Sequence, residues 1–203
     1  MLTKGVIQLL NESKEGSLDD THTPCLKRRG FLKLAACTLG VFAATPTLAK
    51  AAVSKERVLS LYNPNTGETM RLVYWIPGEG YVRESLKELS WTLRDHRNDQ
   101  VKLFDPHVLD QLFAINLRMD YAKPVHVICG YRSPQTNAML RRQNRGVAKE
   151  SYHTKAKALD IRMPGRNVSD LHRAALSLQA GGVGYYPRGN FIHIDTGAVR
   201  RWG

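Results

Sequence analysis

The sequence is short of acid, short of cysteine and without a long apolar run. It carries 18 Asp and Glu against 30 Lys and Arg in 203 residues, a formal net charge of +12. The surplus is spread along the chain rather than gathered in one arm. Two readings are open: a solvated basic surface, or attraction to an anionic polymer such as nucleic acid or a bacterial wall. There are three cysteines, Cys25, Cys37 and Cys129. The first two fall in a segment that reads as a removable signal, so no internal disulfide is expected. Cys129, in an apolar strand, is expected to fill core. The apolar run Leu34 to Ala44 is diluted by Thr38 and Gly40 and ends near Pro46. A bilayer needs about 20 apolar residues, which disfavours a stable spanning helix. The sequence has no His-Glu-x-x-His pair, no Gly-x-Ser-x-Gly turn and no phosphate-cradling glycine loop, which removes three common catalytic classes. Its length, with 42% hydrophobic residues, suits one globular domain.

Residues 1–26 are polar and show no apolar period, and are read as disordered. Lys27-Arg28-Arg29-Gly30-Phe31-Leu32-Lys33 comes next. It resembles the twin-arginine export signal of bacteria, with Lys27 where Ser or Thr is usual. Thr47-Leu48-Ala49 and Ala49-Lys50-Ala51 are both small-x-small cleavage candidates, so 1–49 is expected to be the signal segment and 50–203 the folded domain. An uncleaved segment would instead tether the protein to the inner membrane. Leu34-Ala35-Ala36-Cys37 also has the form of a lipoprotein box, although apolar sequence continues past it. The twin-arginine route carries folded proteins, which agrees with a domain that needs no disulfide.

The rest of the chain predicts an α+β fold: a small antiparallel sheet with helices on one face. Arg57 to Leu61 and Arg71 to Trp75 read as a hairpin about Asn63-Pro64-Asn65-Thr66-Gly67, with Gly67 free to take positive φ. Helical spacing runs from Arg83 to about Arg97 and again from Pro106. Leu86, Leu89, Trp91 and Leu93 are the apolar face of the first; Val108, Leu109, Leu112, Phe113, Ile115 and Leu117 are that of the second. Val125 to Cys129 reads as a strand with Val125, Val127 and Cys129 on one face and His126 and Ile128 on the other. Gly130 to Pro134 turns into a third helix. Ser169 is expected to cap a fourth. Short strands are expected at 158–162, 181–186 and 191–195.

Chemistry concentrates in three late segments: Ser151-Tyr152-His153, Ala158-Leu159-Asp160 and Phe191-Ile192-His193-Ile194-Asp195. Zinc takes His nitrogen and carboxylate oxygen at about 2 Å, and a catalytic site keeps three protein ligands and one open position. His153, Asp160 and His193 would supply that set. Seven residues along one strand would put His153 and Asp160 on opposite faces, so His153 must come from the loop before the strand. Asp195 shares a face with His193. It is either the partner that orients a ligand histidine or the base acting on water. His126 is a structural strand histidine or an alternative base. Arg132 comes directly after a strand and makes either a surface salt bridge or a fork for a substrate carboxylate.

Gly130-Tyr131-Arg132-Ser133, Ser151-Tyr152-His153-Thr154-Lys155, Ala158-Leu159-Asp160, Gly181-Gly182-Val183-Gly184-Tyr185-Tyr186 and Phe191 to Gly197 closely resemble the YcbK-type murein endopeptidases. That family lies within the D-Ala-D-Ala peptidase, lysostaphin and hedgehog-like metallopeptidase group. The resemblance runs from about Arg57 to Trp202. It implies one zinc ion on His153, Asp160 and His193, and hydrolysis of peptide cross-links in peptidoglycan, between two meso-diaminopimelate residues (3-3 links) in the nearest relatives. It implies a carboxylate-holding role for Arg132. Relatives often carry a His two residues before the last ligand or an acid three before it; here Phe191 and Asn190 stand there, which leaves Asp195 and His126 for the base. The reading is a monomeric zinc peptidase of a Gram-negative periplasm, acting on peptidoglycan and not on nucleic acid, with the twin-arginine machinery as its export partner. The alternative is a non-catalytic murein-binding module with structural zinc. Structural zinc usually has four protein ligands, often cysteine, and Cys129 lies in a different segment.

Overall fold

Turn and cap chemistry sets the element boundaries in this computed structural model, which describes residues 55–144 and 146–203. The expected signal segment, its disorder, its cleavage sites, and Cys25 and Cys37 lie outside the described residues. Gly67 takes φ +76° in the turn joining β1 (Arg57–Tyr62) to β2 (Thr69–Ile76). A two-residue β3 (Gly80–Tyr81) pairs back on β2. Helix α1 is Arg83–Thr92. Helix α2 is Pro106–Met119; Pro106 opens it, and the Asp105 carboxylate accepts from the His107 N–H, satisfying one of the donors a helix start leaves free. Strand β4 (Val125–Cys129) runs into α3 (Pro134–Gln143), capped by Ser133. A 3-10 turn at Tyr152–Lys155 precedes β5 (Ala158–Arg162). Helix α4 (Val168–Leu176) is capped by Asn167 rather than the expected Ser169, whose N–H it accepts. Strands β6 (Gly182–Tyr186), β7 (Phe191–Asp195) and β8 (Arg200–Trp202) complete the chain.

The fold is α+β, but the sheet is neither small nor wholly antiparallel. Its eight strands run in the order β3-β2-β1-β4-β5-β7-β6-β8. Two neighbouring pairs, β1 with β4 and β6 with β8, are parallel. Local sequence marks strands but not which distant strand lies beside them. The parallel contact of β1 with β4 joins the N-terminal hairpin to the site-bearing strands. β8, three residues rich in arginine, has no alternating pattern to betray it. Among the described residues, no helix is long and apolar enough to cross a membrane.

Alternation along the strands separates a core face from a site face. Val125, Val127, Leu159, Ile161, Val183, Ile192 and Ile194 enter one buried cluster with residues of α1, α2 and α4. Asp160, His193 and Asp195 point the other way. Two expected core residues are exposed: Trp91 (52%) and Leu117 (67%). Each lies two positions after a buried residue, Leu89 or Ile115, and so about 200° around the helix from it. Trp91 instead lies beneath the Arg94 guanidinium, 4.5 Å from its ring centre. Phe113 packs on the core edge as expected.

The register shifts once between β4 and β5. Val127 pairs with Ile161 and Cys129 with Asp160, so two steps on β4 match one on β5. This is a β-bulge, and it re-aims the residue beyond it. Cys129 therefore shares Asp160's side of the sheet and not the core face with Val127.

Beyond the bulge, buried Asp95 holds the turn into α3. Its carboxylate accepts from the N–H groups of Ser133 (2.9 Å) and Arg97 (3.2 Å). Burial pushes its pKa up, but hydrogen bonds from Thr136, Ser133 and Arg97 outweigh that and hold the carboxyl below its ordinary value. A lowered folded-state pKa stabilises fully above the unfolded value of about 4, and that contribution is lost as pH falls through the folded value. Asp95→Asn is expected to cost about 1–3 kcal/mol near neutral pH and to flatten the loss of stability in acid. Urea unfolding at neutral and acid pH measures both; identical neutral-pH midpoints would contradict this role.

Candidate metal centre

The centre is built from adjacent strands at one level of the sheet. Cys129 on β4 pairs with Asp160 on β5, Asp160 with His193 on β7, His193 with Gly184 on β6, and Gly184 with Trp202 on β8. The next level reads Ala158, Asp195, Gly182 and Arg200. His153 arrives from the 3-10 turn before β5, held by the Ser151 hydroxyl, which accepts its N–H. It is therefore not a strand residue.

Hydrogen bonds fix which nitrogen of each histidine is free. His153 Nδ1 is 2.8 Å from the Gly130 carbonyl. A carbonyl only accepts, so Nδ1 carries the proton and Nε2 presents a lone pair. His193 Nε2 is 2.9 Å from Asp195 Oδ2, which leaves His193 Nδ1 as its lone-pair nitrogen. These two nitrogens are 3.2 Å apart, and lie 3.2 Å (His153) and 2.9 Å (His193) from Asp160 Oδ1. Three such atoms this close repel one another unless a proton or a metal cation sits among them. Burial would lower the pKa of His153, but Cys129 and Asp160 raise it well above its ordinary value, so the pocket favours positive charge. The spacing also matches the edge of a tetrahedron, about 3.3 Å for metal–ligand bonds near 2 Å. The donor set and its spacing fit zinc. Burial opposes ionisation of Asp160, but positive charge on His153 and hydrogen bonds donated by His153 and His193 hold its carboxyl well below the usual range, and a bound cation would do the same in the protons' place.

Asp195 is fully buried and fully engaged. Oδ2 accepts from His193 Nε2 and from Arg200 Nη2 at 2.7 Å. Oδ1 accepts from Arg200 Nη1 (3.0 Å) and from the N–H groups of Gly197 (2.8 Å) and Gly182 (3.2 Å). Burial would raise its pKa; His193, Arg200 and Gly197 together lower it below the ordinary carboxylate range. The glycines of β6 make this possible. A Cβ on Gly182 would stand 2.4 Å from Arg200 and 2.6 Å from Asp195, and one on Gly184 would stand 2.6 Å from the Trp202 indole. Through these gaps Arg200 reaches Asp195, and Trp202 lies with its ring centre 5.2 Å from that of His193.

A cleft of about 500 Å³ opens over the centre. Arg132 lines it. Its side chain donates to Asn137 Oδ1 (3.3 Å) and Cys129 Sγ (3.4 Å) and has no carboxylate partner among the described residues. His126 is not in the cleft. It sits toward the start of β4, edge-on to Tyr62 at 4.7 Å, among residues of a different depression. The cleft also contains residues to which the sequence assigns no role: Glu150, Tyr186, Arg200 and Trp202. Glu150, three residues before His153, could have been found as the nearest acid in the same loop. Arg200 and Trp202 could not, because their strand is visible only once β6 and β8 are paired.

A family model described as peptidoglycan L,D-endopeptidase MepK matches residues 51–202. The chain is similar to the peptidoglycan L,D-endopeptidase MepK of Escherichia coli, 45% identical over 176 residues that cover 86% of this chain and 96% of that one. It is also similar to the probable peptidoglycan L,D-endopeptidase MepK of Haemophilus influenzae, 44% identical over 178 residues, 86% of this chain and 95% of that one. No solved structure matches it.

The glycine gaps lead to an expected outcome. Gly184→Ala should displace Trp202, cost about 1–3 kcal/mol as an overpacked contact, and change the tryptophan fluorescence. The same substitution on a Trp202→Phe background should leave fluorescence unchanged. Thermal unfolding and emission spectra of the four proteins check this.

Proposed function

Because the chain belongs to the peptidoglycan L,D-endopeptidase MepK family, and is thus a peptidoglycan-hydrolysing peptidase, we propose that it works with a single zinc ion on His153, Asp160 and His193. The observation that carries this reading is the triangle of two imidazole nitrogens and a carboxylate oxygen, 2.9–3.2 Å on each side. When bound there, zinc polarises the scissile carbonyl and lowers the pKa of water toward about 7.

The chain's own residues do the rest. Asp195 holds the His193 ring by its Nε2 proton and keeps Nδ1 turned inward, the orienting role that outer partners of ligand histidines play. It is not the base: both oxygens are occupied and its exposure is 0%. His126, outside the cleft, is not the base either. Of the carboxylates lining the cleft, Asp160, Asp195 and Glu150, only Glu150 is exposed and without a hydrogen-bond partner among the described residues. Glu150 is the group that takes the proton from the attacking water and returns it to the leaving amine. Arg132, lacking a carboxylate partner, receives a carboxylate of the substrate in fork geometry.

The substrate is a peptide cross-link of peptidoglycan, of the 3-3 type between two meso-diaminopimelate residues. An L,D bond is what the relatives' name specifies, and the net charge of +10 left once residues 1–49 are removed suits an anionic wall. The protein reaches that wall in the periplasm by twin-arginine export, with residues 1–49 as signal. Support comes from Arg28-Arg29 and from a domain whose one cysteine, Cys129, is unpaired.

Purified protein, metal-stripped and zinc-reloaded, is to be given defined 3-3 and 4-3 cross-linked muropeptides, with products read by mass spectrometry. Only the 3-3 dimer should fall to monomers, and only with metal. His153→Ala and Asp160→Ala should lose both zinc and cleavage. Glu150→Gln should keep zinc and KM but lose about 10²–10⁴ in kcat, the usual worth of a proton-transfer group. Cleavage by stripped Asp160→Ala would refute the metal reading; full activity of Glu150→Gln would refute its assigned role.

A further inference from the structure

A closed zinc site needs four protein donors, and the bulge on β4 delivers a fourth. Cys129 lies in the same cross-strand row as Asp160 and His193. Its sulfur, a ring nitrogen of His153 and a carboxylate oxygen of Asp160 all lie within 4.8 Å of one another. Two donor triads thus share His153 and Asp160, a tight one completed by His193 and a looser one completed by Cys129. The tight triad is the resting set; the looser one shows where a further donor stands. Arg132 Nη2 donates to the sulfur at 3.4 Å, so the sulfur already serves as an acceptor.

We propose that Cys129 is a fourth donor to this centre, so that the protein has a capped form in which the thiolate fills the position water needs. The inference rests on the three-donor zinc centre proposed for His153, Asp160 and His193. In capping, the thiol gives up its proton and sulfur joins the ion. In opening, water enters and the sulfur leaves as thiol. No oxidant or reductant is involved. Thiolate is a soft donor that zinc and cobalt accept readily alongside imidazole. The cap gives the chain a latent state, metal-loaded but closed to substrate, that would otherwise require a separate inhibitory segment. It also assigns Arg132 two partners: the Cys129 sulfur in the capped form and a substrate carboxylate in the open one. Substrate arrival at Arg132 would therefore withdraw support from the cap.

The test uses the purified chain loaded with cobalt(II) in place of zinc. The unmodified protein should show a near-ultraviolet sulfur-to-cobalt charge-transfer band that Cys129→Ser lacks. Cys129→Ser should bind metal at least about tenfold more weakly, a loss within the range seen when a centre's supporting groups are removed, and should turn over faster at saturating metal. A readout without any variant is alkylation of the unmodified protein, scored at Cys129 by peptide mass spectrometry: bound metal should protect the thiol. If both proteins bind one cobalt with identical affinity, no sulfur band appears and metal gives no protection, the cap is refuted while the three-donor centre stands. If neither protein binds cobalt, the centre itself is refuted and the cap with it.

Discussion

The pairing of Asp160 with His193 across β5 and β7 is the constraint on which the rest depends. It sets a carboxylate and an imidazole side by side on one face, with Leu159, Ile161, Ile192 and Ile194 filling the core behind them. A one-residue slip would exchange the faces and bury the histidine in the core. His153 then needs only to descend from the turn before β5, and the Gly130 carbonyl settles which of its nitrogens faces inward. The long core face thus serves as a register lock for a site that occupies the other side of the same strands.

A second layer supports the first. Asp195 is a buried charge, costly in isolation, and it persists because Arg200, His193 and two backbone N–H groups surround it. That arrangement needs an empty strand face between β7 and β8, which Gly182 and Gly184 provide. The C-terminal strand therefore takes part in the centre: Arg200 fixes the carboxylate that fixes His193, and Trp202 covers the same ring. Gln111 on α2 donates to the backbone carbonyls of Ala180 and Asp195 and ties this end of the sheet to the core helix.

Much of this was legible in the sequence, for identifiable reasons. The segments holding His153, Asp160 and His193 carry strong local signals, and face alternation separated His193 and Asp195 from Ile192 and Ile194. That His153 must leave the strand is a consequence of period-two geometry alone. What stayed hidden was non-local. No local pattern announces that β1 lies parallel to β4, or that the last three strand residues pair with β6. The bulge between Val127 and Cys129 inverted the reading of Cys129, because alternation assumes an unbroken register. Trp91 and Leu117 show the same limit on helices, where an apolar side chain off the packed stripe reads like core until the packing is seen. The sequence leaves Asp195 between two roles, because only the full set of its partners shows that neither oxygen is free.

The central claim concerns specific atoms and is open to direct measurement. A crystal structure of the zinc-loaded protein, with anomalous diffraction at the zinc edge, locates the ion. The account predicts one ion per chain, about 2 Å from Nε2 of His153, Nδ1 of His193 and the carboxylate of Asp160, with Asp195 still hydrogen-bonded to Nε2 of His193. An ion bound through Nε2 of His193, or one held elsewhere with these three side chains unligated, would contradict it.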